Sequence, residues 1–215
     1  AGLGAVVSKN NVAYSDSISW GIAACRHANG RDWWIITHRD SSDIIIKLLF
    51  TSNGILSVAS QQLGYVPWAG GNASQPTFSP DGTKFITTTY DNPVDRNSYL
   101  VISDFDRCSG MFSSTQTLQL TGGSYLWGLA FSPSGDFVYA CTSNHIYQVE
   151  VSSLSVDTVA YYDGFCYPNP PWCTTFWNMY LAANGKIYIT SGNAVQHIHE
   201  MNYPDSLGVA CDIQQ

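Results

Sequence analysis

The chain has 215 residues and a formal net charge of -7, with 12% of its residues charged and 13% aromatic. So much aromatic content with so little charge excludes a disordered chain. The acidic balance disfavours phosphate-bearing partners, both nucleic acid and anionic membrane surfaces. The most apolar run, residues 44–50, is too short to span a bilayer and carries Lys47, so no membrane insertion is expected. The opening residues 1–5 have neither the basic nor the apolar region of a signal peptide, which points to a processed or internal start.

Along the chain one unit recurs. Residues 4–7 predict the outer strand of a preceding unit that ends near residue 20. Then come four tight turns, Ala28-Asn29-Gly30, Pro80-Asp81-Gly82, Pro133-Ser134-Gly135 and Ala183-Asn184-Gly185. Their glycines recur at intervals of about 50 residues. A short apolar strand precedes each turn, as in residues 22–25 and 129–131, and an alternating strand follows it, as in 33–36 and 137–140. A third strand (44–50, 99–105, 145–151, 194–201) and a weaker fourth complete the unit, the fourth as an outer edge strand; residues 209–213 look like the start of such a strand. Pro presets φ for the turn and Gly supplies positive φ, so each turn closes a hairpin. Four strands per period and no helical periodicity predict an all-β fold, a β-propeller segment of about four four-stranded antiparallel blades that is part of a larger propeller. The expected division of this single region 1–215 is 21–70, 71–122, 123–172 and 173–215, the last with an incomplete outer strand. A sandwich would not give such even spacing.

Six cysteines are present, an even count without metal-type spacing, which predicts disulfides and an oxidising compartment; buried free thiols are the alternative. Cys166 and Cys173 enclose Pro168, Pro170 and Pro171, so they are expected to bond to each other; the other four cysteines allow three complete pairings.

The stretch from Cys25 to Trp34, CRHANGRDWW, resembles large secreted proteins of Bacteroidetes that combine a WD40-like β-propeller region with a C-terminal type IX secretion sorting domain. Phe78–Gly82, Asp104–Gly110, Leu129–Pro133, Asn184–Tyr188 and Asn202–Ser206 extend the resemblance over residues 22–215. The resemblance implies a secreted, extracellular or cell-surface protein that meets the type IX secretion machinery during export, and it implies no catalytic activity. It also draws attention to Ser17, Thr158 and Ser206, each after an Asp and before an apolar residue, as candidate O-glycosylation sites. Asn72 in Asn72-Ala73-Ser74 is a weaker N-linked candidate.

Trp127 and Trp177 each precede their turn glycine by the same interval, which puts both at the entrance of an inner strand; Trp20 lies near the same level. With Trp172 in the proline-rich loop they are the candidate ligand-binding residues, since an indole offers a flat apolar face with a polar edge. Packing between blades is the competing account for Trp127 and Trp177, and a plain staple for the loop. Other constellations favour structural roles. Arg26, His27, Arg31 and Asp32 crowd one turn without a nucleophile; His197 and His199 alternate onto one face without a third ligand; Asp91, Asn92, Asp95 and Asn97 lack calcium spacing; Asp104 and Asp106 share a strand face. No metal, cofactor or catalytic residue is therefore expected. The sequence predicts a non-catalytic propeller, not an enzyme, for adhesion, binding or display of a carbohydrate or protein ligand. The alternatives are a propeller enzyme acting on glycans and a structural subunit whose open edges are completed by neighbouring chain segments.

Overall fold

The structure is a computed structural model that describes residues 5, 9–19, 21–65, 75–91, 94, 97–121, 124–168 and 171–215. Of the residues singled out above, Trp20, Asn72, Asn92, Asp95 and most of the strand expected at 4–7 lie outside this set.

Four four-stranded antiparallel sheets follow one another, each a meander in chain order. The first holds β1 (Ala23–Arg26), β2 (Trp33–His38), β3 (Ile44–Thr51) and β4 (Gly54–Gln62). The second holds β5 (Thr77–Phe78), β6 (Lys84–Tyr90), β7 (Ser98–Asp106) and β8 (Met111–Thr121). The third holds β9 (Gly128–Phe131), β10 (Phe137–Cys141), β11 (His145–Glu150) and β12 (Val156–Tyr161). A separate hairpin of β13 (Cys166–Pro168) and β14 (Pro171–Cys173) precedes the fourth sheet, made of β15 (Phe176–Leu181), β16 (Ile187–Ser191), β17 (His199–Met201) and β18 (Ile213–Gln214).

The glycine turns are equivalent. Gly30, Gly82, Gly135 and Gly185 have φ between +71° and +82°. Each donates its amide to the carbonyl three residues back, at 2.8–3.0 Å. An L side chain is strained in that conformation, which is why glycine recurs there.

Adjacent residues of a strand point to opposite sheet faces, and here both faces are covered. Phe85 joins Trp34, Ile36, Ile45 and Phe112 between the first and second sheets. Its neighbour Ile86 joins Leu100, Leu129, Phe131 and Val138 between the second and third. Tyr139, Ile146, Phe176, Met179 and Ile187 fill the space between the third and fourth. Inner strands pack in the order β1, β5, β9, β15; no comparable packing joins β15 to β1 among the described residues, so the four blades form an arc.

Three details depart from expectation. The outer strands β4 and β8 are long, with 9 and 11 residues, because they pair along most of β3 and β7. Residues 208–211 wind into a 3-10 turn, and only Ile213–Gln214 pairs at that edge. The third strand of the last sheet begins at His199, so His197 falls outside it; the two imidazoles share no face, His199 being buried and His197 exposed.

Candidate functional site

The glycine turns mark the lower end of the arc. The upper end carries the segments that enter the inner strands and the loops between second and third strands. There the aromatic residues gather. Trp127 and Trp177 stack with centroids 4.1 Å apart and planes at 20°. Tyr125 meets Trp127 edge-on at 5.6 Å, and Tyr90 meets Tyr125 at 5.0 Å. Burial first, then the neighbouring Tyr125 and Asp40, push the Tyr90 hydroxyl up to about 12, so it stays protonated. Three blades contribute to this row.

Local sequence accounts for the stack. The β15–β16 register shifts between Phe176 and Met179, a bulge that re-aims Trp177. Gly128 lets the inner strands of the third and fourth blades close up, since a Cβ there would lie 2.2 Å from the Trp177 carbonyl oxygen. The Cys141 thiol donates to that same oxygen at 2.8 Å. Both indoles are half-buried, and the faces they turn to each other are closed to a ligand.

The β13–β14 hairpin rises from the same end. Cys166 and Cys173 face each other across it and are bonded, as expected. Cys25, Cys108, Cys141 and Cys211 remain free. Burial raises the thiols of Cys25 and Cys211 to about 11 and Cys141 to about 12, which leaves all three unreactive. Trp172 on the hairpin is 41% exposed and Phe165 at its base 42% exposed. The His197 ring lies 5.7 Å from Phe165 and 5.5 Å from Tyr167. Asn193 donates its side-chain amide to the Cys173 carbonyl at 2.9 Å, and the Thr174 amide donates to the Phe165 carbonyl at 3.1 Å. Of the candidate ligand residues, the structure thus brings Trp127 and Trp177 together and sets Trp172 on a separate, rigid support. Tyr90, Tyr125, Phe165 and His197 were not singled out as part of this face; the Tyr125-x-Trp127 pairing ahead of β9 was the available signal.

The lower end is chemically different. A cavity of about 810 Å³ lies between the second and third blades, lined by Asp81, Lys84, Asp104, Asp136, Glu150 and Asp205 among others. Its carboxylates are largely committed. Lys84 pairs with Asp104 at 2.5 Å and holds its carboxyl below the usual range. At Asp81, burial raises the pKa, and hydrogen bonds from Ser79 and Thr83 more than reverse it. Asp205 behaves alike, with the Ser134 amide donating at 2.9 Å. Asp106, the other member of the Asp104 pair, is lowered by Ser109 and the Cys108 amide. Asp81, Asp104, Asp106 and Asp205, all lowered, are not placed to act as proton donors near neutral pH. His27 is equally committed, with Nδ1 accepting from the Asn29 amide and Nε2 donating to the Cys108 carbonyl, while Asp32 binds Asn29 and Arg31. Among the described residues no group of three or more His, Cys, Asp or Glu side chains is placed to hold a metal ion.

No protein family and no curated protein matches the chain by sequence. Solved structures do match. A catalytically inactive virginiamycin B lyase from Staphylococcus aureus with quinupristin is 16% identical with a TM-score of 0.57, over 95% of this chain and 57% of that one. The periplasmic gluconolactonase of Pseudomonas aeruginosa is 13% identical with a TM-score of 0.56, over 84% of this chain and 52% of that one. TolB from Acinetobacter baumannii is 17% identical with a TM-score of 0.51, over 86% of this chain and 40% of that one. The chain spans about half the length of the solved structures it matches. These likenesses establish the β-propeller part of the resemblance drawn from the sequence. They also overturn the expectation that the chain is not an enzyme. A lyase and a lactonase share this architecture, so the fold gives no ground for setting catalysis aside.

Proposed function

We propose that this propeller takes a carbohydrate ligand on its upper end. The observation that carries the proposal is the exposed indole of Trp172 on a disulfide-closed hairpin, with Phe165 also exposed at the base of that hairpin. Flat apolar faces held rigidly, with polar edges and neighbouring amides, suit sugar rings, which offer C–H faces and hydroxyl rims. A glycan array followed by a fluorescence titration tests this. Binding that Trp172→Ala weakens at least tenfold supports it; no glycan retained by the full chain overturns it.

Turnover of the bound sugar is the second reading, favoured by the exposed His197 imidazole seated between Phe165 and Tyr167. Incubation with sugar lactones and glycans, read by product formation and by its loss in His197→Gln, tests that step. Trp20, a candidate for the same role by sequence position, lies outside the described residues.

We further propose export by the type IX route to the cell surface, with which the disulfide is consistent. O-linked sugars on Ser17, Thr158 and Ser206 are proposed alongside, none of these residues being fully buried. Intact-mass measurement on protein from the native source tests the modification. The blade limits 21–70, 71–122, 123–172 and 173–215, and completion of the arc by further chain segments, are carried as part of the same proposal.

A further inference from the structure

Met111 opens β8 of the second blade and is the exposed member of the three methionines: it is 50% exposed, Met179 1% and Met201 0%. One side of its sulfur is occupied. Lys47, on β3 of the first blade, is buried. Its ammonium donates to Gln61 Oε1 at 3.0 Å, to the Gly110 carbonyl at 2.7 Å and to Met111 Sδ at 3.5 Å. Three protons thus meet three acceptors. No carboxylate among the described residues pairs with this ammonium. A charge buried without a counter-ion depends on every acceptor it has. Gln61, on β4, completes the join: its Nε2 donates to the Phe112 carbonyl at 2.7 Å, and its Oε1 accepts from the Phe112 amide at 3.1 Å. Lys47 and Gln61 therefore stitch the first blade to the start of β8, and the Met111 sulfur is one of the stitches.

We propose that Met111 is a site of oxidation by hydrogen peroxide, at which Lys47 covers one face of the sulfur, so that a single sulfoxide epimer forms and loosens the seam between the first two blades. A thioether sulfur carries two lone pairs. Lys47 occupies one, and the half-exposed side chain leaves the other to solvent. That pair attacks one peroxide oxygen, and the S–O bond forms as the O–O bond breaks. The sulfur gives up two electrons and the peroxide is reduced. The departing hydroxide takes the proton of the transferred oxygen and leaves as water. Oxygen added from one side only fixes the configuration of the new sulfur centre. The electron-poor sulfoxide sulfur accepts poorly in turn. The Lys47 ammonium then loses one of its three partners where burial keeps water from replacing it.

The test uses the full chain carrying Cys108→Ser, which removes the exposed free thiol that would compete for the oxidant. Limiting hydrogen peroxide is added to the folded protein, and peptide mass spectrometry locates the added oxygen. It is expected at Met111, with Met179 and Met201 unmodified. The Met111 peptide is then treated separately with methionine sulfoxide reductases A and B, each of which takes one epimer. One reductase is expected to return nearly all of that peptide to the thioether and the other almost none. After oxidation of the urea-unfolded chain, or of folded Lys47→Leu, both should return a share. Hydrogen exchange of the Phe112 amide should speed up about tenfold on oxidation, and Met111→Leu should remove that response to peroxide. Oxygen taken up first at Met179 or Met201 overturns the site. Equal shares for the two reductases in the folded parent, or a single epimer that persists in Lys47→Leu, overturns the role of Lys47. A Met111 sulfoxide that leaves Phe112 exchange unchanged overturns the effect on the seam. If Lys47→Leu fails to fold, the single epimer of the folded parent against the mixture from the unfolded chain decides the role of the fold around the sulfur.

Discussion

The two ends of the same blades are built by opposite rules. At the lower end one turn is repeated four times with the same glycine, the same φ and the same hydrogen bond. Asp81, Asp205 and Asp104 there are tied to a neighbouring hydroxyl, an amide and Lys84. At the upper end the described connections differ: one carries a tyrosine two residues before a tryptophan, and another a disulfide hairpin that leads into a bulged tryptophan. Repetition specifies the fold, and departure from it builds the face proposed above to take a ligand.

That contrast can be broken at several points. The largest effect is expected where the blades meet. Phe85 is fully buried against Phe78 at 5.0 Å and Phe112 at 5.3 Å. Phe85→Ala should cost about 4 kcal/mol in urea unfolding, and a cost below about 1 kcal/mol would show that the inter-blade core is loose.

Acid acts on the same interface. His38 packs on Phe85, is 1% exposed, and its Nε2 has no partner. Burial lowers its pKa from 6.5 to about 4. The unfolded chain therefore binds the extra proton between those values. Stability is full above pH 6.5 and falls by about 3 kcal/mol as the pH drops to 4. His38→Leu should flatten this slope, and an unchanged slope would place the acid sensitivity elsewhere.

The lower turns offer a finer test. Gly30 and Gly82 share positive φ, but a Cβ at Gly82 would also strike the Cys25 sulfur at 2.6 Å, while none meets anything within 4 Å at Gly30. Gly82→Ala should cost about 3 kcal/mol and Gly30→Ala about 1 kcal/mol. Equal costs would mean that backbone strain alone matters. The smallest effect belongs to the upper end: Trp172→Ala should leave stability within about 0.5 kcal/mol of the parent while removing ligand. A large loss of stability would make Trp172 a packing residue.

Much of the lower end was legible in the sequence. Glycine spacing and the alternation around Phe85 and Ile86 are local patterns. The upper end was legible in its residue types and in the Cys166–Cys173 bond, which the intervening prolines restrict the chain enough to predict. Equal offsets from the glycine turns gave the level of Trp127 and Trp177, but their stacking depends on the β15 bulge and on the bare backbones of Gly128 and Gly192, which are long-range facts. Alternation misplaced His197 and His199 because the strand starts at His199, five residues later than the pattern suggests. Even cysteine number implied pairing, whereas burial keeps Cys25, Cys141 and Cys211 as core thiols.

The most direct test of the division between the two ends is a ligand titration of the fluorotryptophan-labelled chain with the glycan that an array selects. Shifts confined to Trp172, Trp177 and Trp127, with Trp33 and Trp34 beside the Gly30 turn unmoved, are what the account predicts. Shifts at Trp33 and Trp34, with the upper indoles silent, would contradict it.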